Sequence, residues 1–245
     1  MAKLLTMEEA MQMRQGGSSG VGVGELKAVD EQVITVRLSS KGKHGYPGVV
    51  HLRPLKVKDV KCLVDSGMEE EIDYVRRLVQ VVQGTVLDKD VDVKEFTMPD
   101  FYKVLLAHRV NSIGNEINLS FMCDCKDEVQ TVKYDLMRLE EKEIPDEYVE
   151  PVQVGGIQVR YPRVWGYLPE GKRSFDEVND YDVLRSVVIG KDVDELLLSE
   201  AKGALEFVRK WEGSYGIQTS VEVPCKFCGK GVRVRIPFFL LFQMW

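Results

Sequence analysis

Apolar residues recur at two spacings along this chain, and each spacing predicts a different element. From Gln32 to Leu38 they fall mainly at every second position, and a second short apolar run follows from Val49 to Leu52 beyond a glycine-rich loop. A period of two predicts a pair of β-strands. Spacings of three and four predict a helix, whose apolar stripe consists of Ile72, Val75, Val79, Val82 and Val86.

Boundary residues predict further helices. One runs near Val57 to Val64, and another begins at Thr97, the predicted N-cap, with a proline in its first turn. Residues 176–213 are predicted to be mostly helical, with a long helix that opens at Asp192 and ends at Trp211.

Four of the five cysteines form two close pairs, Cys123 with Cys125 and Cys225 with Cys228. Alternating strand patterns flank both pairs, so each pair is predicted to lie at the tip of a β-hairpin. Hairpin tips with cysteines are typical of zinc knuckles, and two knuckles complete one tetrahedral four-cysteine site. The sequence therefore predicts a split zinc ribbon with one structural zinc per chain.

Other interpretations of the cysteines remain open at this level. The pairs could be a redox dithiol, a disulfide or unrelated buried thiols, and the single-residue gap in Cys123-Asp124-Cys125 is narrower than the common knuckle spacing. A redox motif belongs at the start of a helix, whereas strand residues follow Gly229 here. Cys62 is predicted to be a core residue on a helix face.

An internal similarity indicates the domain organisation. The glycine turn ending at Gly114 precedes Cys123 as the turn ending at Gly216 precedes Cys225, and both offsets are 102 residues. We expect an α+β fold with two lobes of helices and β-hairpins joined by the split zinc ribbon. The predicted units are an arm with a linker (1–24), a first lobe (25–139), an insert that is β-rich and then helical (140–216), and a second cysteine hairpin with an apolar tail (217–245).

Composition narrows the class of protein. The 245 residues carry a net charge of −6, and the isoelectric point is about 5.3. The chain therefore lacks the excess of basic residues that is expected of a nucleic-acid binder. The longest apolar run, Phe238 to Phe242, is too short to cross a bilayer, and no signal peptide is predicted. We therefore expect synthesis in a reducing cytoplasm, where paired cysteines more often bind metal.

No catalytic constellation is predicted. His44, His51 and His108 are scattered, and His108 falls on an apolar helix face, where a core imidazole is expected. The glycine-rich run from Gly20 to Gly24 precedes no helix, so it does not predict a phosphate-binding loop. The chain is accordingly predicted not to be an enzyme.

The two ends of the chain are predicted docking elements. The N-terminal arm carries Met7, Met11 and Met13 before a Gly/Ser linker, and it could equally be a frayed terminus. The run from Phe238 to Trp245 is too apolar to lie free in water, so it either closes the core or anchors a protein interface.

Several motifs stand out from about Val49 to Leu136 and at the C-terminal hairpin: Leu52-Arg53-Pro54-Leu55-Lys56-Val57-Lys58-Asp59, Val91-Asp92-Val93, Pro99-Asp100-Phe101, the turn from Arg109 to Ile117, and Cys225-Lys226-Phe227-Cys228-Gly229 followed by Phe238-Phe239. In these motifs the sequence resembles the baseplate hub assembly proteins of T-even-type phages. Residues 1–45 and 145–215 lie outside this resemblance.

The resemblance implies a role in phage tail assembly, as a baseplate component near the hub or as a factor that helps the hub and tape-measure protein assemble. Its location would be the virion tail, or the host cytoplasm during assembly. The competing class is a zinc-ribbon nucleic-acid or transcription-associated protein. That class predicts a basic patch, which only Lys226, Lys230, Arg233 and Arg235 approach.

Overall fold

The computed structural model describes residues 33–64, 71–172, 174–236 and 241, without the side chains of residues 62, 64 and 71. The predicted N-terminal arm and linker lie outside the described residues, as do the Cys62 side chain and the apolar tail apart from Leu241. Leu241 is fully buried in the first of two core clusters.

The described residues contain five α-helices and five small antiparallel sheets, which confirms the α+β prediction. The helices are α1 (Val57–Val64), α2 (Glu71–Gln83), α3 (Met98–Ser112), α4 (Asp180–Val187) and α5 (Leu198–Trp211). The strands are β1 (Ile34–Arg37), β2 (Val49–Leu52), β3 (Glu116–Cys123), β4 (Lys126–Asp135), β5 (Glu141–Lys142), β6 (Val152–Val154), β7 (Ile157–Val159), β8 (Val188–Ile189), β9 (Gly216–Ile217), β10 (Ser220–Pro224) and β11 (Gly231–Arg235). No described helix has the length and apolar character needed to cross a membrane.

Short-range pairing dominates the sheets. Strands β1 and β2, β3 and β4, and β10 and β11 each form a hairpin, whereas β5 pairs with β9 across the insert. The remaining sheet has the order β6-β7-β8. The alternation read from Gln32 to Leu38 therefore predicted β1 correctly, with Ile34 and Val36 facing the core.

The packed interior consists of two clusters of buried apolar side chains. The first is built on β1, β2, α2, α3 and both cysteine hairpins, the latter contributing Ile117, Leu119, Phe121, Val221 and Val223. The second lies among β7, α4, α5 and neighbouring loops; its largest side chains are Tyr148, Tyr161, Phe207, Trp211 and Tyr215. The proposed division of the chain at residues 24, 139 and 216 stays a prediction.

Two helix boundaries differ from the prediction for local reasons. Helix α2 ends at Gln83 because Gly84 and Thr85 turn the chain, and Val86 then forms an isolated bridge with Leu52. The predicted helix at Asp192 is instead a single 3-10 turn, in which the Asp192 carboxylate accepts from the Asp194 N–H. Extended backbone at Leu196 and Leu197 separates this turn from α5, which begins at Leu198.

Candidate metal centre

The first cysteine pair lies at the tip of the β3–β4 hairpin. Cys123 ends β3 opposite Lys126, and Cys125 occupies the turn between the strands. The register shifts between Phe121 and Cys123, so the ladder is irregular just before the tip. Both sulfurs of the narrow Cys123-Asp124-Cys125 motif lie at the same site, just beyond this irregularity.

The second pair sits in a knuckle between β10 and β11. The Cys225 N–H donates to the Lys230 carbonyl at 2.8 Å, and the Gly229 N–H donates to the Cys225 carbonyl at 2.9 Å. Gly229 has a φ of +72°, a conformation that glycine adopts without strain. The Phe227 N–H points at the Cys225 sulfur at 3.4 Å. Together these contacts fold the backbone around one sulfur.

The four sulfurs converge on one point from hairpins about a hundred residues apart. The Sγ–Sγ distance is 3.8 Å between Cys123 and Cys228 and 3.5 Å between Cys125 and Cys225, and all four atoms lie within 4.8 Å of one another. A tetrahedron with metal–sulfur distances of about 2.3 Å has edges of about 3.8 Å. All four are free cysteines, and the donor set and spacing fit a tetrahedral metal ion.

Hydrogen bonds at the site favour a thiolate at Cys225. Burial opposes the charge, but N–H donors on Cys228, Gln130 and Phe227 outweigh it and lower the pKa of the Cys225 thiol to about 6. Hydrogen bonding with Cys225 and Cys228 raises the pKa of the Cys125 thiol to about 12. Cys125 therefore retains its proton where Cys225 favours the thiolate, and a bound cation would displace the Cys125 proton.

Gln130 is the residue at this site that sequence reasoning missed. Its side chain is only 3% exposed, and its amide contacts the opposite hairpin through both ends. The neighbouring Val129 is 62% exposed, so β4 turns its glutamine inward and its valine outward. The signal was present in the sequence, because Gln130 shares the phase of Val132 and Tyr134, which pack against the first core.

Comparison with known proteins reveals the family. A family model described as T4 bacteriophage base plate protein matches residues 31–183. The chain belongs to this family. The match confirms the resemblance read from residues 49–136 and extends beyond it at both ends; it includes the first cysteine pair and stops before the second. A search of the curated proteins and a search of the solved structures find no match.

Family membership associates this base plate protein with the phage tail, with other baseplate proteins as partners and with a structural role. The four-cysteine cluster adds a centre that could hold a metal ion.

The histidines of this base plate protein lie at three separate positions. His108 is buried, and its Nε2 lies 2.9 Å from the Thr85 hydroxyl, as expected of a core imidazole. Burial lowers the pKa of His108 to about 4. His51 is half-exposed beside Asp88, with Nδ1 3.0 Å from a carboxylate oxygen.

His44 belongs to a buried polar network that the sequence did not reveal. Its Nδ1 lies 2.8 Å from a Glu150 carboxylate oxygen, which also accepts from Arg163 at 2.7 Å. Its Nε2 lies 2.7 Å from the Tyr215 hydroxyl, which donates to the Thr97 hydroxyl at 2.9 Å. The network joins five residues spread over positions 44 to 215, so no local motif could predict it.

Proposed function

We propose that this protein is a non-enzymatic component or assembly factor of the phage baseplate hub, stabilised by one structural zinc ion per chain. The proposed ligands are Cys123, Cys125, Cys225 and Cys228. The observation that carries the proposal is the convergence of their four sulfurs within 4.8 Å, in a chain of the base plate family.

A structural zinc ion suits this site better than a catalytic metal ion does. Tetrahedral four-sulfur sites favour zinc or iron over hard cations, and four protein ligands leave no position for substrate or water. The metal would supply a cross-link between the two hairpins and no chemistry of its own. Its role would be to hold β3–β4 and β10–β11 in a fixed relation on the first core.

The proposed partners are other hub proteins and the tape-measure protein. The N-terminal arm (residues 1–24) and the apolar C-terminal tail are the proposed docking elements. Leu241, the one described residue of the tail, is buried in the first core cluster, which supports a part for this residue in closing that core.

A second candidate is a zinc-ribbon nucleic-acid-binding protein. One observation favours it: Lys226, Lys230, Arg233 and Arg235 are all exposed on the second hairpin, beside the half-exposed Phe227 ring. The net charge of −6 opposes it. A salt-dependent gel shift of DNA or RNA by the purified chain would favour this candidate over the baseplate role.

Metal analysis of the purified full-length chain tests the centre. We expect one zinc per chain by elemental analysis, and a large drop in melting temperature on removal by a chelator, because a structural zinc contributes folding free energy on the order of 10 kcal/mol. Replacement of Cys225 and Cys228 by serine should abolish zinc binding. A metal-free chain that is fully folded at the same melting temperature would exclude the structural zinc.

Particle composition tests the baseplate role independently. Mass spectrometry of purified tails should detect this chain if it is a component, whereas an assembly factor would be absent from tails yet required for them to form. Normal tails from a phage that lacks the chain would contradict both forms of the proposal.

A further inference from the structure

The two cysteine hairpins meet at one buried side chain, Gln130 of β4. Its Oε1 accepts the Lys226 backbone N–H at 2.8 Å, and its Nε2 lies 3.3 Å from the Cys225 sulfur. The amide thus spans from the first hairpin to two adjacent residues of the second. The Lys226 ammonium adds a hydrogen bond to the Thr131 carbonyl at 3.1 Å, which holds the knuckle on β4 from outside.

Hydrogen-bond chemistry determines which way the Gln130 amide faces. The Lys226 N–H can only donate, so the amide oxygen must face it and the amide N–H₂ must face the sulfur. A donor directed at sulfur is worth more when that sulfur is a thiolate, since hydrogen bonds to charged acceptors are the stronger ones. The geometry therefore directs an N–H donor at a sulfur that would carry negative charge once it binds a metal ion.

Cys225 differs from the other three cysteines in this respect. Among the described residues outside the cysteine cluster, no side chain other than Gln130 donates to a sulfur of the cluster. Cys225 is also the only buried member of the four, since Cys123 is half-buried and Cys125 and Cys228 are exposed. The Cys225 sulfur thus accepts from a side chain outside the cluster, whereas the other three sulfurs have no such side-chain donor among the described residues.

We propose that Gln130 is a positioning residue of the metal centre. It docks the second knuckle on the first hairpin and holds the Cys225 sulfur in place, so that an incoming metal ion meets two hairpins already in position. This role rests on the proposed zinc site. Gln130 would not bind the metal ion itself but would strengthen metal binding, as is common for residues that hydrogen-bond metal ligands.

Two substitutions that keep the shape of the Gln130 side chain distinguish the contributions of its amide oxygen and its amide N–H₂ group. Gln130→Glu keeps an oxygen that can accept from Lys226 but places negative charge beside the thiolate. Gln130→Met keeps the length of the side chain and removes both hydrogen bonds. Thr131→Val is the matched control, because the exposed Thr131 side chain faces away from the site and bonds only the Ser120 hydroxyl, at 3.2 Å.

The measurement is zinc affinity of the full-length chain, by competition with a chromophoric chelator, together with the absorption spectrum of the cobalt-substituted protein. We expect zinc affinity to fall by about 10- to 100-fold in Gln130→Met and further in Gln130→Glu, and to stay unchanged in Thr131→Val. The sulfur-to-cobalt charge-transfer band should also shift in both Gln130 variants. A purely structural role for Gln130 would lower the melting temperature and leave that band in place.

Circular dichroism establishes that each variant is folded before zinc is measured. Folded Gln130 variants with wild-type zinc affinity and an unshifted cobalt band would overturn the role of Gln130 and leave the zinc site standing. A wild-type chain that binds neither zinc nor cobalt would overturn the metal centre and this role together.

Discussion

At the scale of single residues, the polar side chains that face inward carry most of the specific chemistry. His108 shows how burial and hydrogen bonding determine the tautomer and the charge of such a residue. The Thr85 hydroxyl donates to the Val82 carbonyl at 2.6 Å, so it accepts from His108, and the imidazole is therefore the tautomer with hydrogen on Nε2. The neutral form is the one that this pocket accommodates.

His108 should make stability depend on pH between about 6.5 and 4. Its pKa is lowered to about 4 in the folded chain, against about 6.5 when unfolded, so the unfolded state binds the extra proton first as the pH falls. The free energy of unfolding should decrease by about 1.4 kcal/mol per pH unit from this residue, or ~3 kcal/mol over the window. Urea unfolding of wild type and His108→Gln at pH 7, 5.5 and 4 measures this. Stability curves that stay parallel over the whole window would contradict it.

At the scale of elements, close packing determines how helices and turns fit against one another, which helix and turn propensities do not decide. The segment Val164–Tyr167 forms a 3-10 turn against α4, and Gly166 within it faces Ser186. A Cβ on Gly166 would lie 2.3 Å from the Ser186 Cβ. The two elements can approach this closely only because position 166 has no side chain.

Gly166→Ala should therefore destabilise the protein by roughly 1–3 kcal/mol, the usual cost of overpacking a buried contact. Chemical denaturation measures the loss. Gly84→Ala is the control, since its Cβ would meet only ordinary contacts at 3.5 Å. Adding Ser186→Gly to Gly166→Ala should recover part of the loss, and the absence of any recovery would mean that another contact is responsible.

At the scale of the whole molecule, the network around His44 joins the two core clusters. The centroid of the His44 ring lies 5.0 Å from that of the Tyr148 ring in the second cluster. The neighbouring Tyr46 ring packs against the Phe96 ring of the first cluster, with 4.9 Å between their centroids. Glu150 and Arg163, both nearly buried, form the charged centre of the network. A buried pair of this kind is costly to break, because removal of one partner leaves the other charge unpaired.

Glu150→Gln should reduce the free energy of unfolding by about 3–5 kcal/mol at neutral pH. Burial opposes the charge of Glu150, but the His44 hydrogen bond and the Arg163 charge outweigh it and lower its pKa. Its contribution is present above the unfolded pKa of about 4.5 and is lost as the pH falls through the folded value, so wild type and variant should converge in acid. Denaturant unfolding at pH 7 and pH 3 measures both effects.

The exposed Glu143, paired with Lys41 at 3.1 Å, supplies the control for that experiment. Glu143→Gln should change stability by less than about 1 kcal/mol. Equal losses in the two variants would mean that the buried network contributes no more than a surface ion pair.

The sequence alone predicted much of the local structure, and it singled out the four cysteines of the candidate site. The period of two placed β1, and the alternation around both cysteine pairs placed the hairpins, because strand periodicity is a local property. Helix α1 lies at the predicted residues because helix boundaries are also signalled by local sequence. The helix predictions were wrong at Val86, where Gly84 and Thr85 turn the chain after α2, and at Asp192, where a 3-10 turn and extended backbone precede α5. Hydrophobic periodicity does not reveal either break.

What the sequence determined by itself was the α+β class, the base plate resemblance and the identity of the four thiols, all of which reside in composition and spacing. Only the tertiary structure decided that the sulfurs meet within 4.8 Å, that Gln130 reaches Cys225, and that His44, Glu150 and Arg163 share one buried network. The physical reason is chain separation. These contacts join residues up to 171 positions apart, and they depend on how two cores pack, which no local pattern encodes.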